Sequence, residues 1–138
     1  MDSKAQAHER VTRFAAADPF VRSLGIECVD GGPGRAVVRL RIAERHLNFN
    51  GSCHGGVIFA LADTAFGLAA NAYGRVAVGI DTHTTFVAAV QRGDVITATA
   101  TEMSRSRRIA VYRVEVARED GTVVSTFTGT VYVTDKHN

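Results

Sequence analysis

Residues 55–74 read GGVIFALADTAFGLAANAYG, an apolar run with two glycines at its head, one at its foot and a single charge inside. Its length and its Ala and Leu content predict a helix from Val57 to Tyr73, which Gly74 ends as a C-terminal glycine does. Apolar side chains fall on nearly every face, so the helix is expected to be wrapped by the rest of the fold rather than laid on its surface. The run is roughly long enough to cross a bilayer, but Asp63 and the weakly hydrophobic Ala and Gly positions argue against membrane insertion.

Outward from this helix the period of the sequence changes. Upstream, Ile26–Asp30 and Ala36–Ile42 alternate with a period of two about the turn Gly31-Gly32-Pro33-Gly34, which predicts a hairpin. Before it, Val11, Phe14, Ala15, Phe20, Val21 and Leu24 take helical spacing, and Asp18-Pro19 marks a break between one helix and the next. Downstream, β segments are expected at about 75–90, 94–104, 107–118 and 122–134, with Glu119-Asp120-Gly121 turning the chain into the last. Helix, two strands, long helix, four strands is an α+β plan, in which an antiparallel sheet curls around the apolar helix.

The chain has 138 residues, enough for one domain spanning 1–138 with an N-terminal helical segment over 1–24. With 46% hydrophobic and 22% charged residues and a formal charge of +2, it lies far from disordered compositions. No run of five basic residues marks a nucleic-acid surface; the densest cluster is Ser104-Arg105-Ser106-Arg107-Arg108. The charged N-terminus lacks the apolar core of an export signal, so a cytoplasmic location is expected, and Cys28 and Cys53 are too few for a disulfide framework.

Between Arg45 and Arg75 the only formal charge is Asp63, and Phe59, Ala60, Phe66 and Gly67 are its helical neighbours. A carboxylate buried there without a cation must find donors elsewhere in the fold or border a wet cleft. An interior hydrogen bond and acid–base or nucleophilic work are both open readings. At the head of the helix, His54-Gly55-Gly56 leaves backbone amides without helical partners at the positive end of the dipole, where a carbonyl oxygen could be polarised; a simple tight entry into the helix is the alternative. Gly55 and Asp63 are eight residues apart, about 12 Å at helical rise, so they would cooperate more easily between two subunits than within one.

Leu47-Asn48, Ser52-Cys53-His54-Gly55-Gly56 and Leu61-Ala62-Asp63-Thr64-Ala65-Phe66 closely resemble the hotdog-fold acyl-CoA thioesterases of the phenylacetate-degradation (PaaI) type. The resemblance runs on through the hairpin, the Gly74 stop, the strand around Phe86, the Gly93-Asp94 turn and Val111-Tyr112. It implies a curved antiparallel sheet around one long helix, homodimers sharing a continuous sheet with the active site at their interface, and commonly homotetramers. It implies hydrolysis of an acyl-CoA, with an aromatic acyl group of the phenylacetyl or hydroxyphenylacetyl type as the family-level expectation. By position, Asp63 matches the general base or nucleophile, Gly55 the amide that polarises the thioester carbonyl, and Asn48 a residue that helps place the thioester or the water. His54, Gly56 and Thr64 are expected beside the substrate, and Arg107 and Arg108, with Arg105, are candidates for the CoA phosphates. Some relatives hold the water with a serine or threonine on the strand after the helix; Gly79 stands at that place, which leaves the role unassigned. Asp81, His83 and Thr85 alternate on one face of that strand.

Other chemistry fits less well. Cys53-His54 pairs a nucleophile with a base by type, but adjacent residues rarely face each other. Cys53, His54, Asp63 and His83 lack metal-ligand spacing, and no cofactor is called for. A non-catalytic acyl-CoA-binding module and an enoyl-CoA hydratase or dehydratase on the same scaffold are the competing readings. Phe49, Phe59 and Phe66 could line an apolar pocket or fill the core.

Overall fold

The computed structural model describes residues 3–138. The expected helical segment therefore begins, among the described residues, at Ser3, and Met1 and Asp2 lie outside them. Helix α1 covers Lys4–Ala17 and opens with a reciprocal capping box between Ser3 and Gln6. Asp18 then accepts the N–H groups of Phe20 and Val21 and starts α2, Pro19–Leu24, with Pro19 at the first helical position where its missing N–H does no harm.

The six strands are β1 (Glu27–Gly32), β2 (Arg35–Arg41), β3 (Arg75–Phe86), β4 (Val95–Arg105), β5 (Ile109–Arg118) and β6 (Val123–His137). They form one sheet in the order β1-β2-β4-β5-β6-β3, and every neighbouring pair is antiparallel. The long helix, α3, spans Gly55–Ala70 and packs against all six of these strands. This is the α+β plan of a curved sheet around one helix.

Boundaries differ from the sequence reading for local reasons. Helix α3 begins two residues earlier because His54 caps it, and stops at Ala70 because the Asn71 side chain takes over the next bonds: its Nδ2 donates to Gly67 O and Ala77 O, and its Oδ1 accepts Ala77 N–H. That clasp folds β3 back antiparallel along α3. Strand β3 ends at Phe86 rather than near 90, and β5 starts at Ile109 because Ser106 and Ile109 close a turn with their main chains and the Ser106 hydroxyl.

The core lies between α3 and the concave face of the sheet. Ile58, Leu61, Ala62, Ala65, Phe66 and Ala69 meet Val38, Leu40, Ile96, Ala98, Tyr112, Val114 and Phe127. Burial of each Leu or Phe side chain contributes about 1.5–3 kcal/mol. Phe66 lies over Gly129, where an added Cβ would stand 2.7 Å from its ring, and it meets Tyr112 edge-on at 5.9 Å and Phe127 at 5.4 Å. The sheet thus accepts the helix closely because strand β6 offers no side chain at 129.

Strand β3 is an edge, and Val78 and Ile80 on it are exposed apolar residues. No helix among the described residues is long and apolar enough to cross a membrane.

Candidate active site

Asp63 is exposed within one chain and borders a cleft, the second of the two outcomes that its isolation in the apolar run left open. The sheet covers α3 on one side only, and the stripe Gly56, Phe59, Asp63 and Gly67 is left wholly or partly open. Asp63 reaches solvent, yet the protein mass around the rest of its carboxyl desolvates the charge and raises its pKa above the ordinary aspartate value. No hydrogen-bond or ion-pair partner is recorded for its side chain among the described residues. An open carboxylate with a raised pKa and no partner is poised to exchange a proton.

The head of α3 is built by His54. Its main-chain N–H donates to His46 O at 2.8 Å, and its Nδ1 accepts the Gly56 N–H at 2.8 Å, so Gly56 is satisfied by the cap. The N–H of Gly55 makes no hydrogen bond among the described residues. One donor at the positive end of α3 is therefore left without a partner, and it is the amide to which the resemblance gives the thioester carbonyl. The ring of Phe86, from the far end of β3, lies 3.5 Å from where a Gly55 Cβ would be.

Asn48 organises the loop ahead of the helix. Its Oδ1 accepts the N–H groups of Asn50 and Ser52, while its main-chain N–H donates to Ser52 O at 2.7 Å. The carbonyl end of the side chain thus shapes the turn, and the Nδ2 end has no recorded partner among the described residues. Thr64 lies beside Asp63, and its hydroxyl donates to Ala60 O at 2.7 Å.

Asp63 and Thr64 open into a cavity of about 360 Å3 whose other walls include Phe14, Asp18, Phe20, Gly67 and Leu68. Phe14 and Phe20, from α1 and α2, are the residues the sequence reading missed; their helical spacing is the only signal that could have found them. Of the aromatics that could line a pocket or fill the core, Phe66 is in the core at 2% exposure and Phe49 stands in solvent at 96%. Phe59 packs on Phe127 with ring centroids 5.8 Å apart. A larger groove, about 580 Å3, lies between Lys4, His8 and Pro33 and holds none of the candidate residues.

A family model described as the thioesterase superfamily matches residues 50–125, which contain Gly55, Asp63 and the strands that frame them. The chain belongs to the thioesterase superfamily. It is 38% identical over 128 residues to a putative esterase of Deinococcus radiodurans, covering 92% of this chain and 87% of that one. It is 36% identical over 112 residues to the acyl-coenzyme A thioesterase PaaI of Escherichia coli, covering 81% of this chain and 80% of the relative. The solved structure of the E. coli PaaI protein superposes with a TM-score of 0.95 at 30% identity and covers 99% of each chain. A Streptococcus mutans protein solved with acetyl CoA bound matches with a TM-score of 0.79 at 26% identity, over 83% of this chain and 92% of that one. This thioesterase therefore has the hotdog fold of the PaaI type and is a thioester hydrolase.

Within one chain of the thioesterase, Gly55 and Asp63 stand about two helical turns apart, some 12 Å at helical rise. Arg107 and Arg108 lie at the other end of the fold. The register Val78–Tyr132–Ile109 places the β4–β5 turn beside the start of β3, whereas Gly55 touches Phe86 at its end. Arg108 is engaged, donating to Asp135 at 2.8 Å and to Val133 O, and Arg107 is exposed. Arg105 is engaged within the chain: it lies over the Tyr73 ring at 4.0 Å and faces Glu102, which also accepts from Tyr73 and Tyr112.

Other candidate groups fall away. Burial pushes the Cys53 thiol up to about 11, so it is protonated at neutral pH and no nucleophile. No group of three or more potential ligands for a metal ion occurs among the described residues. Asp81, His83 and Thr85 are exposed along β3. At Gly79 an added Cβ would lie 3.1 Å from Phe66, so the ring occupies the side-chain space of that position.

Proposed function

We propose that this thioesterase hydrolyses the thioester of an aromatic acyl-CoA, of the phenylacetyl or hydroxyphenylacetyl type, to the free acid and CoA. The observation that carries the reading is the free Gly55 N–H at the head of the same helix whose open stripe bears the unpaired Asp63. The thioester oxygen sits at Gly55, and the negative charge that develops there on attack is stabilised by an amide that needs no reorganisation. One such donor is worth about 3–4 kcal/mol in other enzymes. Asp63 either takes a proton from the attacking water, or attacks the carbonyl itself to give an anhydride that water then opens. In both routes the C–S bond breaks with its electron pair on sulfur, and the thiolate leaves without needing an acid.

Dimerisation supports this chemistry. Strand β3 is an open edge with exposed Val78 and Ile80, and such an edge is satisfied by pairing. Antiparallel pairing of β3 with a second copy would run the two α3 helices antiparallel. It would bring the Gly55 end of one toward the Asp63 stripe and the Arg107 end of the other, where Arg107 and Arg108 could face the CoA phosphates. Two such dimers would complete a tetramer. Phe14 and Phe20 line the space beside Asp63, where an aromatic acyl group would have aromatic neighbours.

An acyl-CoA panel with thiol detection, run beside an enoyl-CoA absorbance assay, tests the reading. Thiol release fastest for aryl-acetyl thioesters supports it. Binding without release from any thioester, or loss of enoyl absorbance without thiol, overturns it in favour of a binding module or a hydratase.

A further inference from the structure

His46 is a buried imidazole, 1% exposed, that neither the proposed chemistry nor the cavity uses. It ends the short 3-10 turn Glu44–His46 that follows β2. Both ring nitrogens are engaged. Nδ1 accepts the Ala43 N–H at 2.8 Å, so the ring proton belongs on Nε2, which donates to Leu24 O at 2.9 Å. Arg45 Nε lies 3.4 Å from Nε2, at the long end of hydrogen-bond range, so Leu24 O is the nearer partner of that nitrogen. The main-chain carbonyl of His46 takes the His54 N–H at 2.8 Å.

These contacts reach two parts of the site that are far apart in sequence. Leu24 ends α2, whose first turn carries Phe20 into the cavity wall beside Asp63. Ala43 and His46 close the turn whose carbonyl holds His54, the cap that satisfies Gly56 and leaves Gly55 free. We propose that His46 is a positioning residue that fixes the Gly55 amide through its Nδ1 bond and the α2 wall of the cavity through its Nε2 bond. It touches no reacting atom. The proposal rests on the thioesterase reading for its catalytic consequences only.

Two half-isosteres separate the bonds. Asparagine keeps an acceptor near Nδ1 and loses the Leu24 contact, whereas glutamine can reach Leu24 O and loses the Ala43 contact. Misplacement of the oxyanion donor by His46→Gln should lower kcat by about tenfold to a hundredfold with KM little changed. Loosening of the cavity wall by His46→Asn should raise KM with the smaller effect on kcat. Amide hydrogen exchange without substrate should quicken over residues 52–58 in His46→Gln and over 18–25 in His46→Asn. Parallel loss of kcat and KM in both variants, or unchanged exchange in both segments, would overturn the proposal. If neither variant folds, a long-range 1H–15N spectrum of the wild type decides: it should show the ring proton on Nε2 and none on Nδ1, and a ring protonated at Nδ1 would overturn the assignment. Exchange and tautomer are read without turnover, so a wild type that hydrolyses no acyl-CoA refutes the enzymatic reading while leaving these two results to judge His46.

Discussion

His54 Nδ1 accepts the amide N–H of Gly56 at 2.8 Å, and this one bond determines which donor at the head of α3 is left over. A cap that took the next amide back would silence Gly55. An added Cβ at Gly56 would stand 2.9 Å from His54 Nδ1, so Gly56→Ala must move the ring off its cap. Turnover should fall by about tenfold to a hundredfold, the range seen when a reacting group is displaced by an ångström. Steady-state kinetics of Gly56→Ala at unchanged secondary structure check this; wild-type kcat would refute the capping argument.

The cap itself can be weighed on stability. Replacing a good N-cap by alanine costs about 0.5–2 kcal/mol, and asparagine is among the best substitutes. His54→Ala should therefore unfold at lower urea and His54→Asn should recover most of the difference. If His54→Asn recovers stability but not kcat, the imidazole does more than cap.

Asp63 ties pH to both activity and stability. Removing a general base or nucleophile should reduce turnover by at least about a hundredfold, so Asp63→Asn is expected to be nearly inactive while folded. The acid limb of the wild-type kcat/KM profile should lie above the ordinary aspartate range, because only the ionised carboxylate works and desolvation raises its pKa. Since the fold holds this proton more tightly than the unfolded chain, the wild type loses stability as pH climbs from the ordinary value through the raised one. Asp63→Asn is free of that loss and should melt higher at neutral pH, with the gap closing in acid. Thermal melts of both proteins across pH measure it; a variant that melts lower at every pH contradicts the sign.

How legible this was from sequence depended on whether each feature is set locally. Helix α3 and its head could be read because glycine placement and apolar content act within a few residues. Whether Asp63 would find donors inside the fold or border a cleft stayed open because it depends on which side of the helix the sheet covers, a property of the strand order β1-β2-β4-β5-β6-β3. Phe14 and Phe20 were illegible as cavity walls for a related reason: their approach to Asp63 follows from α1 and α2 packing near a helix some forty positions later. Arg105 shows the same limit, since Glu102 is three residues away on β4 but Tyr73, whose ring it covers, lies beyond the reach of any short pattern.

Packing at Gly129 gives a prediction independent of function. An added Cβ would lie 2.7 Å from two Phe66 ring atoms and 2.9 Å from Phe127, and both rings are buried and cannot swing aside. Gly129→Ala should destabilise the fold by about 1–3 kcal/mol, as overpacked cores do. Equilibrium urea unfolding measures it. A neutral result would mean that α3 can lift from the sheet, and hydrolysis by the same variant would then reveal whether the Gly55 amide moves with it.

The cavity wall is tested by substrate preference. Phe20 lines the space beside Asp63 from α2 and is itself more than half exposed, so its removal should leave the core intact. Stacking between two aromatic groups is worth about 0.5–1.5 kcal/mol, which is up to about tenfold in affinity. Phe20→Ala should therefore raise KM for an aryl-acetyl-CoA several-fold and change KM for acetyl-CoA little. The ratio of the two KM effects is the measurement that matters, because a general loosening of α2 would raise both. Equal increases would remove Phe20 from the acyl site and assign it to packing between subunits, where an exposed phenylalanine on a short helix would equally find cover.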